Sequence, residues 1–179
     1  YVEVPEKNQL LKYDKIEIRR IYNIPVNNVI AISASRLTYE KGFHILIESL
    51  SNLNADIIKN FTLVLVGDGP EKNKLLNEVK RLNFEDKVIF LNWVEPEEYK
   101  KIIFCGDFYI HPAIFDAYGG GTMYAMSMSI PVIGSNGAGV VQERLVDGIN
   151  GLCYDFKDVE GLSIHIKKLI LDICQMANA

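Results

Sequence analysis

Apolar residues along this chain fall into two patterns, short continuous runs and longer stretches with a helical period. We predict β-strands at the short runs, because they are brief and, in the first two, apolar nearly throughout. Uninterrupted apolar character is typical of parallel strands that are covered on both faces. The six predicted strands are Val29–Ser35, Phe61–Gly67, Val88–Leu91, Asp107–His111, Pro131–Gly134 and Gly151–Tyr154.

Helical spacing occupies the stretches between the runs. A short helix is predicted after Asp14 and stops before Pro25, since the residue before a proline avoids the helical conformation. Strands that alternate with helices predict an α/β fold, here a Rossmann-like, doubly wound parallel sheet of about six strands. Apolar residues share a helix face in three sets: Phe43, Leu46, Ile47 and Leu50; Leu75, Leu76, Val79 and Leu82; and Leu162, Ile166, Leu169, Ile170 and Ile173.

Length and composition narrow the classes of function. The 179 residues suit one domain, with residues 1–13 as a polar linker, and the start at Tyr1 without an initiator methionine suggests a piece of a longer protein. A net charge of -4 and the absence of a basic run argue against nucleic acid as a partner. Three widely spaced cysteines predict reduced thiols and a cytoplasmic location.

The loop after the first predicted strand carries two cations. It reads SRLTYEKG and places Arg36 and Lys41 on either side of a turn that leads into a helix near Gly42. Cations beside a helix N-terminus make an anion site, because free N–H groups and the helix dipole act together. The alternative interpretation is a solvated basic loop.

The next two loops carry weaker signals. VGDGPEKNK contains Gly69, but Lys72 replaces the last glycine of a dinucleotide fingerprint, and a P-loop is absent, so a plain strand-to-helix turn is the alternative. Pro70 suits the first position of the following helix. Trp93 lies just after the third strand, before a helix that Pro96 starts. It is either the wall of a base pocket or a packed aromatic side chain.

The fourth loop, within HPAIFDAYGGGT, is the most distinctive. Asp116 is expected at its rim, where it can accept hydrogen bonds from hydroxyl groups, and Thr122 is expected to cap the next helix. The glycines between them offer N–H groups that can wrap a phosphate or a sugar closely. A flexible loop with an exposed aspartate is the alternative. The three glycines are Gly119, Gly120 and Gly121.

No metal site is predicted, because the sequence contains neither a D-x-D motif nor a cluster of histidines and cysteines. His111 ends a strand beside the glycine loop. It is therefore either a ligand contact or a half-buried structural histidine.

Four motifs in this order, SRLTYEKG, LVLVGDGPEKNKL, DFYIHPAIFDAYGGGTMYAMSMSIPVIGS and ERLVDGINGL, resemble one family. The chain is similar to the carboxyl-terminal domain of retaining GT-B glycosyltransferases of group 1 (family 4-like), from about Lys15 to the final helix. The resemblance implies one half of a GT-B fold, which binds a nucleoside-diphosphate sugar as substrate and needs no cofactor or metal. A missing N-terminal domain would bind the acceptor.

The resemblance also implies roles for residues. Arg36 and Lys41 match the pair that holds the donor diphosphate, and the backbone at Trp93 and Val94 matches the segment that reads the base. The loop from Gly119 to Thr122 matches the one that contacts the distal phosphate and the sugar. Asp116 matches the first acid of an E-x7-E pattern, which binds the sugar hydroxyls.

Tyr124 departs from the resemblance at the second acid of that pattern, which holds the ribose diol. A phenol offers one oxygen of lower basicity than a carboxylate. Losing one charged hydrogen bond of about 1.5–3 kcal/mol weakens binding roughly 10- to 150-fold. Ribose recognition is therefore in question at this position.

The resemblance implies transfer of a hexose-type sugar, with retained anomeric configuration, to a glycan or glycolipid acceptor in polysaccharide biosynthesis. Peripheral association with the inner face of a membrane is an expectation from the same likeness. Tyr124 motivates the alternative of a catalytically degenerate partner or regulatory domain. A related GT-B epimerase or phosphorylase is a third interpretation, and a dehydrogenase is disfavoured because the glycine fingerprint fails.

Overall fold

A parallel sheet of six strands organises the computed structural model, which describes residues 13–177. The order β3-β2-β1-β4-β5-β6 and the parallel register confirm the predicted fold class. All six predicted strands are present, and each bound agrees within one residue. The strands are β1 (Val29–Ala34), β2 (Phe61–Val66), β3 (Val88–Leu91), β4 (Phe108–His111), β5 (Val132–Ser135) and β6 (Leu152–Tyr154).

Helices cover both faces of the sheet, because every residue of β1 and β2 is buried and needs apolar neighbours on either side. Helices α2, α4 and α8 pack on one face, and α1, α5, α6 and α7 on the other. The described helices are α1 (Lys15–Ile21), α2 (Phe43–Ser49), α3 (Ala55–Ile58), α4 (Lys72–Arg81), α5 (Pro96–Cys105), α6 (Gly120–Ser127), α7 (Gly139–Arg144) and α8 (Val159–Ala177).

Two helix starts differ from the sequence prediction. Helix α4 begins at Lys72 with Glu71 as its N-cap, so Pro70 lies before the helix rather than at its first position. Helix α6 begins at Gly120 with Gly119 as its N-cap, three residues earlier than a cap at Thr122 requires. In contrast, α5 begins at Pro96 as predicted.

The order in which successive strands join the sheet reverses between β1 and β4. These two strands are neighbours in the sheet, although β2 and β3 separate them in sequence. The loops that follow these strands leave toward opposite faces and open a crevice at their carboxyl ends. Doubly wound sheets bind ligands at this switch point.

Residues 1–12 of the predicted linker lie outside the described residues, and Tyr13 has no regular secondary structure. Between Tyr13 and Ala177, none of the helices has both the length and the hydrophobicity that a membrane span requires.

Candidate functional site

A small cavity lies at the switch point, beyond the carboxyl ends of β1 and β4. Its volume is about 140 Å³. Tyrosine side chains and the glycine loop (Gly119–Gly121) form most of its wall, and we call it the tyrosine cavity. It is lined by Ala34, Ser35, Tyr99, Tyr109, His111, Asp116, Gly119, Gly120, Gly121 and Tyr124.

Two of the three glycines are required by contacts within the protein. Gly119 has a φ of 61°, and an added Cβ would lie 2.8 Å from the ring of His111. A Cβ on Gly121 would lie 2.1 Å from the Tyr109 hydroxyl and 2.7 Å from that of Tyr99. Glycine is therefore needed at these two positions because the loop approaches His111 and the two tyrosines too closely for a side chain. A role in donor contact stays a prediction for Gly119, Gly120 and Gly121.

The two tyrosines are the part of the cavity that sequence reasoning missed. Tyr99 and Tyr109 each donate a hydrogen bond of 3.0 Å to the carbonyl of Ala34. Burial raises the pKa of Tyr99 to about 12 and that of Tyr109 well above its usual value, so both remain neutral donors. Tyr109 sits inside an apolar strand and Tyr99 on a helix face, and both positions are typical of core residues.

Asp116 is the centre of a polar cluster at the wall of the tyrosine cavity. Its side chain is 12% exposed, and its Oδ2 lies 2.9 Å from Lys41 Nζ and 3.1 Å from His111 Nε2. Its Oδ1 accepts hydrogen bonds from the N–H groups of Tyr118 at 3.0 Å and Gly119 at 3.2 Å. Asp116 does line the tyrosine cavity, but its oxygens already have partners within the protein, and its contact with ligand hydroxyls stays a prediction. We call Lys41, His111, Asp116 and Thr122 the acid cluster.

Backbone pairing between two loops brings Lys41 to Asp116. The N–H groups of Ile114 and Phe115 both donate to the carbonyl of Glu40, which fastens the loop after β4 to the loop after β1. Asp116 itself is fixed because its carbonyl accepts from the N–H of Gly139 at 2.8 Å.

The contacts of Asp116 decide its ionisation. Burial alone would raise the pKa of this carboxyl group, but hydrogen bonds from His111, the Tyr118 N–H and Lys41 outweigh burial and hold the pKa below its usual value. Because the carboxylate is ionised, His111 donates its Nε2 proton to Asp116.

Thr122 completes the cluster in a way that the sequence did not predict. The residue is fully buried, and its Oγ1 lies 2.7 Å from His111 Nδ1. His111 is thus held at both ring nitrogens and is 5% exposed, more buried than the predicted half-buried histidine. Contact of Thr122 or His111 with a ligand stays a prediction.

A second cavity of about 210 Å³ adjoins the first and shares Ser35 and Tyr99 with it. The predicted residues Arg36, Trp93 and Val94 meet in its wall, and Trp93 is 65% exposed. The alternative of a packed tryptophan is therefore wrong. We call this space the tryptophan cavity. Gly69 instead packs against the backbone of Leu37, and its part in donor binding stays a prediction.

Tyr124 lies where the resemblance places a second acid. Its ring contacts Tyr99 edge to face, with centroids 6.1 Å apart, and Lys100 Nζ lies 5.8 Å from the ring centroid. The side chain lines the tyrosine cavity, so it faces the proposed binding region. Within residues 13–177, no group of three or more histidine, cysteine, aspartate or glutamate side chains is arranged to hold a metal ion.

This chain matches less than half of the length of two related glycosyltransferases. A glycosyltransferase of Methanocaldococcus jannaschii, MJ1607, is 25% identical over 89% of this chain and 40% of its own. The O-antigen biosynthesis glycosyltransferase WclY of Escherichia coli is 29% identical over 73% of this chain and 35% of its own. The chain thus spans about two fifths of the length of these relatives or less.

The fold is shared with solved structures and with a family model. The crystal structure of Anabaena Alr3699/HepE in complex with UDP and glucose superposes with a TM-score of 0.79 at 23% identity, over 97% of this chain and 45% of that one. The family model for glycosyl transferases group 1 matches residues 14–178. The chain therefore belongs to the group 1 glycosyl transferases, and its sheet is the Rossmann-like half of their GT-B fold.

Proposed function

We propose that this chain is the donor-binding domain of a retaining, metal-independent glycosyltransferase, which moves a hexose-type sugar from a nucleoside diphosphate to a glycan or glycolipid acceptor. The observation that carries the proposal is the pair of adjoining cavities at the switch point of the sheet. One is flanked by Lys41 and the start of α6, and the other by Arg36 and the exposed Trp93.

The two cavities suit the two ends of a nucleoside diphosphate. The tryptophan cavity offers an exposed aromatic face and the backbone at Val94 to the base. The N–H groups of Gly120 and Gly121, in the first turn of α6, lack an intrahelical acceptor and can bind the distal phosphate. Arg36 lies at the boundary, since it lines the tryptophan cavity and follows Ser35, which belongs to both.

In the proposed reaction, the bond between the anomeric carbon and the diphosphate oxygen breaks as the acceptor oxygen bonds to the same face of the sugar. The acceptor proton passes to the departing phosphate oxygen. Arg36, Lys41 and the N-terminus of α6 stabilise the negative charge that builds on the diphosphate. Acceptor binding falls to an N-terminal domain, with residues 1–13 as the linker, in a cytoplasmic protein that works at the inner face of a membrane.

Calorimetric titration of this chain with UDP, GDP and ADP tests the proposal. We expect one of the three to bind, and Arg36→Ala to weaken it by about 10- to 150-fold, as for one charge-assisted hydrogen bond. The matching nucleoside should bind equally well to both proteins. Arg81→Ala is the control, because this arginine lies at the far end of α4 and pairs with Glu78.

An equal loss for nucleoside and diphosphate would remove Arg36 from the phosphate site. If none of the three diphosphates or their sugar conjugates binds detectably, the result would favour a second candidate function, a degenerate partner or regulatory domain. Tyr124, packed on Tyr99 and near Lys100 where the resemblance has an acid, is the observation behind that candidate.

A further inference from the structure

The carboxylate of Asp116 already has a full set of donors in the protein. A carboxylate offers about four lone-pair sites. Oδ2 meets Lys41 Nζ and His111 Nε2, and Oδ1 meets the N–H groups of Tyr118 and Gly119. A sugar hydroxyl could therefore bind this carboxylate only by displacing one of four existing contacts.

Length explains why an aspartate can be held in this way. Its carboxylate sits one methylene closer to the backbone than that of a glutamate, and Oδ1 closes a turn with N–H groups two and three residues ahead. The other oxygen then points to Lys41 and His111, whose side chains are 14% and 6% exposed. The carboxylate faces protein donors rather than open space.

Lys41 keeps donors to spare. An ammonium group has three N–H donors, and the contact with Asp116 uses one of them. Lys41 does not itself line the tyrosine cavity, but its Nζ lies 2.9 Å from Oδ2 of Asp116, which does. The remaining donors are available to an anion beside the glycine loop.

We propose that Asp116 is a positioning residue that makes no contact with the donor sugar, and that its carboxylate holds Lys41 Nζ against the glycine loop so that the ammonium group binds the diphosphate. The inference rests on the proposed function, because it names the group of the donor that this site takes. Sugar hydroxyls are then recognised by groups other than Asp116.

A double-mutant cycle separates this role from direct contact. In Asp116→Asn the amide oxygen can keep the turn with Tyr118 and Gly119, while the amide nitrogen confronts Lys41 as a second donor and displaces it. We expect Asp116→Asn to weaken binding of UDP and of UDP-glucose by the same factor, about 10-fold or more. In a protein that already carries Lys41→Met, Asp116→Asn should change both affinities less than about 2-fold. The ammonium group that Asp116 positions is then absent, so the effects of the two substitutions are not additive.

The pair Asp86 and Lys87 is the matched control, since its side chains are 3.2 Å apart at the opposite edge of the sheet. Asp86→Asn and Lys87→Met should leave both affinities unchanged. If GDP or ADP is the nucleotide that binds, it and its glucose conjugate replace the uridine pair.

Three results would overturn the inference: a loss confined to UDP-glucose, a loss that persists in Lys41→Met, or a gain or no change in affinity. If the unmutated chain binds none of the nucleotides, the proposed function fails first. Thermal unfolding of the same four proteins then decides the inference separately. Additive changes in Tm would show that Asp116 does not hold Lys41, and non-additive changes would retain the positioning role.

Discussion

The two cavities of the candidate site differ in how much of their structure the protein supplies. Three side chains of the tyrosine cavity are held by partners within the protein: Asp116 has four donors, and Tyr99 and Tyr109 share the carbonyl of Ala34. The tryptophan cavity has exposed side chains by comparison, since Trp93 is 65% exposed and Arg36 lies at the surface. One cavity is preorganised by packing, whereas the other presents side chains to solvent.

This difference suggests a division of labour. A site for charge gains from fixed dipoles in a buried setting, where hydrogen bonds need no rearrangement when the ligand arrives. A flat aromatic face binds a base by contact area and tolerates exposure. We therefore expect substitutions around the tyrosine cavity to change stability as well as binding, and substitutions in the tryptophan cavity to change binding alone.

The largest effect is expected from Gly121→Ala. The new methyl group would meet the Tyr109 hydroxyl at 2.1 Å, and Tyr109 is fully packed between sheet and helices, so the free energy of unfolding should fall by about 1–3 kcal/mol. Trp93→Ala, on the open side, should change it by less than about 0.5 kcal/mol. Chemical denaturation of both variants measures the contrast.

Tyr109→Phe combined with Gly121→Ala is the suppressor control. Removing the Tyr109 hydroxyl relieves the closest of three clashes, while the ring carbon Cζ of residue 109 and the Tyr99 hydroxyl, each at 2.7 Å, remain. Partial recovery of stability is the expected result. Equal destabilisation by Trp93→Ala and Gly121→Ala would remove the distinction between the two cavities.

The second-largest effect is expected in the pH dependence of stability, to which Asp116 contributes. The pKa of Asp116 in the folded protein lies below that of an unfolded aspartate, so its stabilising contribution is complete above about pH 4 and is lost as the pH falls further. Below pH 4, the free energy of unfolding should fall more steeply with pH for the unmutated chain than for Asp116→Asn. The difference between the two slopes should be at most about 1.4 kcal/mol per pH unit, the contribution of one proton.

Denaturation curves between pH 2 and pH 6 provide the measurement. Asp86→Asn is the control, because the Asp86 side chain is 72% exposed and its removal should leave the slope nearly unchanged. Identical slopes for the unmutated chain and Asp116→Asn would mean that the carboxylate gains nothing from its partners.

The fold could be predicted from sequence because its signals are local. Continuous apolar runs such as Phe61–Val66 identify buried parallel strands, and the helical spacing between them leaves few topologies. The candidate residues after the first and fourth strands also came together as predicted, since parallel strands carry their loops to one edge.

The internal contacts of the site could not be predicted in this way. Asp116 was expected to accept hydrogen bonds from ligand hydroxyls, because a sequence does not show that Lys41, 75 positions earlier, already pairs with its Oδ2. Thr122 has the residue type of an N-cap, but a buried partner, His111, takes its hydroxyl instead. Long-range hydrogen bonds overruled local preferences in both cases.

The smallest effect should come from Tyr124, which lines the tyrosine cavity beside Tyr99. Tyr124→Phe keeps the ring contacts with Tyr99 and Lys100 and removes only the hydroxyl. If that hydroxyl holds the ribose in place of the missing acid, UDP should bind about 2- to 12-fold more weakly, as for one neutral hydrogen bond. Tyr124→Glu should tighten binding, because a carboxylate can accept from both hydroxyls of the diol.

The 2′,3′-dideoxy form of UDP makes the test specific to the ribose. It lacks the diol, so its affinity should be the same for the unmutated chain and for Tyr124→Phe. An equal loss with both nucleotides would assign Tyr124 a packing role only. The ribose would then have to be held from the tryptophan cavity, and the preorganised region of the site would end at Tyr99.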